Sequence, residues 1–84
     1  MAYVVVLELD DGTADYKVFS KSTDAVARYE SSFRAMRDGT PQKSDGTAII
    51  HCKMFKANTA DAREAVSMVK EGKAEPFRKP PSGD

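Results

Sequence analysis

The stretch YVVVLELDDGTADYKVF, residues 3–19, decides the architecture. Its ends are rich in Val, Leu, Tyr and Phe and its middle carries Asp-Asp-Gly, the pattern of two strands joined by a tight turn. Residues 3–9 form the first strand and 15–19 the second. With Asp11 and Gly12 as a two-residue type I′ loop, Asp10 faces Thr13 and the ladder continues as Leu9 with Ala14, Leu7 with Tyr16 and Val5 with Val18. Side chains alternate along a strand, so the other face takes Glu8 with Asp15, Val6 with Lys17 and Val4 with Phe19.

Outward from the hairpin, a helix is predicted over 24–37, with Ser22 or Thr23 as N-cap, Gly39 past its end, and Val26, Tyr29, Phe33 and Met36 as one apolar stripe. A Gly-, Thr-, Pro- and Ser-rich loop follows over 38–46. The segment TAIIHCKMFK, residues 47–56, is the third strand, with Ala48, Ile50, Cys52 and Met54 on one side and Ile49, His51, Lys53 and Phe55 on the other. A second helix capped by Asn58 or Thr59 turns Ala62, Ala65, Val66 and Val69 inward and ends at Gly72. One domain over 1–72 is expected, followed by an extended, mobile tail over 73–84, KAEPFRKPPSGD, whose Phe77 has the option of folding back onto the body.

The shortest connections place the third strand beside the first and antiparallel to it. The expected fold is α+β, ββαβα, with a three-stranded antiparallel sheet of order 2-1-3 and both helices on one face. The covered face then holds Val5, Leu7, Leu9, Tyr16, Val18, Ile50, Cys52 and Met54. The uncovered face holds Val4, Val6, Phe19, Ile49 and Phe55 among Glu8, Asp15, Lys17, His51 and Lys53. So much apolar surface on an open sheet is unusual for a soluble monomer and predicts a cover, either a partner such as a second copy or the chain's own C-terminal tail led by Phe77.

Composition narrows the function. The chain has 84 residues, 13 basic and 13 acidic, with no Trp and 40% hydrophobic residues, a balance that favours one folded domain over a disordered chain. Zero net charge removes the usual electrostatic footprint of a sequence-independent nucleic-acid binder. The longest strongly apolar run, Val4 to Leu7, is far too short to cross a bilayer, and no leader pattern is visible, so a soluble cytoplasmic protein is expected. Cys52 and His51 supply only two of the four ligands of a structural zinc site, and no disulfide framework exists. No metal or cofactor is called for.

His51 beside Cys52 resembles a nucleophile next to its base, but strand neighbours point to opposite faces and cannot share the activating hydrogen bond. The glycines have no phosphate-loop spacing. Without a catalytic constellation, the expected activity is non-enzymatic binding through the open sheet face, to a second copy or another protein, with Val4, Val6, Phe19, Ile49 and Phe55 as contacts and Lys17, His51 and Lys53 orienting the partner. The alternative is a nucleic-acid accessory protein that stacks bases on Phe19 and Phe55 beside Lys17 and Lys53.

Overall fold

A computed structural model describes residues 1–39 and 46–77. The chain runs β1 (Ala2–Leu9), β2 (Ala14–Phe19), α1 (Ser22–Asp38), β3 (Ile49–Ala57), α2 (Ala62–Lys70) and β4 (Glu75–Pro76). The fold is α+β, with an antiparallel sheet ordered β2-β1-β3-β4. The order of the first three strands is the expected one, and β4 is added at the outer edge of β3.

The two helices do not share a face. One apolar cluster joins Val5, Leu7, Leu9, Ile49 and Met54 to Ala25, Val26, Tyr29 and Met36 of α1. A second joins Ala2, Val4, Val6 and Ala57 to Ala65, Met68 and Val69 of α2. Val4 and Val5 are adjacent, lie in different clusters and are each 0% exposed, so the sheet is sandwiched between the helices. The central strand carries the cause: Val4 to Leu7 is a continuous apolar run, and a strand buried on both sides has no polar face to turn toward water.

The hairpin register differs from the expected one by a single residue. Leu9 N–H donates to the Thr13 carbonyl at 2.8 Å and Gly12 N–H to the Leu9 carbonyl at 3.1 Å, leaving Asp10, Asp11 and Gly12 as a three-residue loop. Gly12 has φ +87°, whereas no described non-glycine residue has positive φ. A type I′ turn needs positive φ at both central positions, so Asp11 excludes it and the left-handed glycine closes a G1-bulge loop instead. Asp11 Oδ1 accepts the Thr13 N–H at 2.9 Å, which ties the loop to the start of β2. As a result Val4 faces Val18, Val6 faces Tyr16 and Tyr3 faces Phe19. A one-residue slip exchanges the faces of a whole strand, so Tyr16 and Val18 pack toward α2 while Phe19 joins the α1 core.

A second irregularity lies between β1 and β3. Leu7 faces Cys52 and Glu8 faces His51, but Leu9 faces Ile49, and Ile50 is the extra residue. The bulge returns Ile49 to the α1 core and leaves Ile50 at 50% exposure, the reverse of the alternation expected for this strand.

Helix α1 begins at Ser22 after Lys21, which makes no side-chain cap, and ends on Gly39 at φ +71°, whose N–H reaches the Met36 carbonyl at 3.2 Å. Its buried positions are Ala25 and Ser32, while Phe33, expected in the stripe, is 44% exposed. The cap of α2 is Asp61 rather than Asn58 or Thr59; its Oδ1 accepts the Glu64 N–H at 3.1 Å, and Thr59 Oγ1 in turn accepts the Asp61 N–H.

Folded structure also reaches beyond Gly72. Glu75 faces Lys56, Pro76 faces Phe55, and Phe77 N–H donates to the Met54 carbonyl at 2.9 Å. The Phe77 ring meets Tyr3 edge-on, with centroids 5.2 Å apart. These contacts tie the start of the expected tail to the body; its remainder, 78–84, lies outside the described residues, as does most of the expected loop, 40–45.

Candidate interaction surface

The eight residues expected on one open face are divided between two. Val4, Val6 and Phe55 lie in the α2 cluster, with Val4 and Val6 buried. His51 and Lys53 share that side of the sheet, opposite Glu8 and Val6. Phe19 and Ile49 belong to the α1 cluster, and Lys17, opposite Val5, is on that side as well. The apolar docking face is therefore absent, because α2 covers one part and the slip and the bulge move the rest. Phe19 and Phe55 stand on opposite sides of the sheet, so they form no common base-stacking platform.

The part of the α2 side left to solvent is polar. Lys53 Nζ donates to Glu8 Oε1 at 2.9 Å, and His51 lies opposite Glu8. That hydrogen bond holds the Glu8 carboxyl below its ordinary pKa; partial desolvation opposes it, and the charges of Lys53 and His51 add to it. Cys52 faces Leu7 on the α1 side while the adjacent His51 faces Glu8, so the two cannot exchange a proton. Burial pushes the Cys52 thiol up, the opposite of an activated nucleophile. No group of three His, Cys, Asp or Glu is placed to hold a metal ion among the described residues, and none of their helices is long and apolar enough to cross a membrane.

What remains uncovered is the outer edge of β3. The strand is nine residues long, but β4 pairs with it only at Phe55 and Lys56, with one further hydrogen bond from Phe77 to Met54. Among the described residues no strand lies outside positions 49–53. Beside this edge is a cleft of about 600 Å³ between α1 and β4, lined in part by Tyr29, Cys52, Met54, Pro76 and Phe77. The Tyr29 ring is 6.2 Å from that of Phe33, one turn farther along α1. Because α1 runs from the end of β2 toward the start of β3, that turn carries Phe33 toward the Ile50 end of the strand.

Of the three large hydrophobic residues exposed among those described, Phe33 and Ile50 are both on the elements that bound this edge; Met1 is the third. Sequence reasoning placed both in the core by unbroken periodicity. The signal for Phe33 was the small pair Ala25 and Ser32, which lets α1 lie close to the sheet on a neighbouring stripe. Nothing local marked the bulge that displaces Ile50. No family model, no curated protein and no solved structure matches the chain.

Proposed function

We propose that this protein is a non-enzymatic interaction module that acts through the outer edge of β3 and the adjoining side of α1, in a reducing cytoplasmic setting where Cys52 stays a thiol. One observation carries the reading: a nine-residue strand meets a two-residue neighbour, leaving main-chain hydrogen-bonding groups at 49–53 beside a cleft of mixed polar and apolar lining. An exposed edge is a template for another strand, with backbone hydrogen bonds giving affinity and side pockets giving selectivity. The other edge strand, β2, is shorter, with six residues against the nine of β3.

Retention of partners by tagged wild type, Ile50→Lys and Phe33→Lys, with folding checked by circular dichroism, tests the proposal. Specific associations, with another copy or a different protein, are expected to weaken in both variants and to persist in Lys17→Glu on the opposite edge. Associations indifferent to Ile50 and Phe33 would refute it. A nucleic-acid role has no comparable support, since the aromatic residues are divided and the charge is balanced.

A further inference from the structure

We propose that the occupant of the β3 edge is a second copy of this chain, paired antiparallel about a two-fold axis at His51; this identification rests on the interaction reading above. Main-chain groups alternate in direction along a strand, and the Met54 carbonyl points outward to receive Phe77 N–H. Cys52, two residues back, directs its own N–H and C=O toward the same open side. An antiparallel pairing that uses all of 49–53 has a single centre, His51.

This register is self-complementary. It sets Ile50 opposite the partner's Cys52, and Cys52 lines the cleft beside Tyr29 and Met54. The bulge thus presents a half-exposed Ile two residues from a cavity, and a two-fold axis brings each Ile50 to the mouth of the other cleft. Lys53 is already matched by its own Glu8 at 2.9 Å and lies beside the partner's bulge at Ile49–Ile50 rather than opposite a charge. Moving the axis two residues toward Lys53 would oppose two lysines and press the incoming strand against Phe77. The symmetric contact therefore faces no two lysines, sets the two His51 rings side by side next to Glu8 of each copy, and leaves β4 where it is.

The test uses the full chain. Sedimentation across a concentration series should show a dimer in wild type, with Ile50→Lys weakening it about 100-fold because the change enters the interface twice. In a Cys52→Ser background, His51→Cys should form an intermolecular disulfide readily, since non-hydrogen-bonded partners lie about 4.5 Å apart. Lys53→Cys should not, its symmetry mate being four residues out of register, about 13 Å away. Crosslinking at 53 as fast as at 51, or a wild type that is monomeric at about 1 mM without crosslinking at 51, overturns the proposal. So does protection of the Cys52 amide from exchange in dilute monomer, which would show that the chain covers its own edge. Loss of the dimer alone leaves the interaction reading standing, because that reading falls only if associations ignore Ile50 and Phe33.

Discussion

Truncating Val4 to Ala should destabilise the protein as much as truncating Val5, although the two side chains leave β1 in opposite directions. Both are 0% exposed, Val4 beneath α2 and Val5 beneath α1. Each change removes two buried carbons at about 0.8 kcal/mol apiece. It also opens roughly 40 Å³ at about 24 cal/mol per Å³, which adds about 1 kcal/mol and brings the total to about 2.5 kcal/mol. For a domain of this size that corresponds to a fall in Tm of about 10–20 °C, or in the urea midpoint of about 1–2.5 M. Urea unfolding followed by far-UV circular dichroism measures both variants on one scale. With both helices on one face, Val4 would lie in an accessible layer and its truncation would cost no more than about 0.5 kcal/mol. A Val4→Ala effect that small, beside a full effect for Val5→Ala, would refute the sandwich.

Three further outcomes are expected. Gly12→Ala should cost about 1 kcal/mol for backbone strain alone, because φ is +87° and a Cβ there meets nothing within 4 Å; chemical denaturation should show it with the slope unchanged. Lys53→Met should raise the Glu8 carboxyl pKa from its depressed value, read by NMR titration. With Glu8 depressed in the folded state, the pair's contribution is present above the unfolded carboxylate pKa and disappears as pH falls through the lower folded value, so only the wild type should lose it on acidification. Phe77→Ala should cost about 2 kcal/mol, since a half-buried ring leaves Tyr3 and the β3 edge, and a melt unchanged by it would refute the docking of β4.

The candidate surface was legible only in part. Residues 47–56 were readable as a strand, and its position beside β1 followed from short connections, which made an exposed third-strand edge foreseeable. The side chains that bound the edge were not. Ile50 is outside because of one extra residue opposite the Glu8–Leu9 step, and Phe33 is outside because α1 settles on Ala25 and Ser32. Each is a local departure from a regular period, and a period read from composition averages over such departures.

Hydrophobic patterning and turn residues were enough to establish the α+β class, the hairpin, both helices and the order of the first three strands, because each follows from short-range chemistry. The tertiary structure decided which face each strand presents, which helix covers it, and that Phe77 returns to the sheet. Alternation determines that Val4 and Val5 part company but is silent about where each goes. A left-handed Gly12 and a bulge at Ile50 shift two strands by one residue each, and packing then chooses the register that buries the Val4 to Leu7 run on both sides.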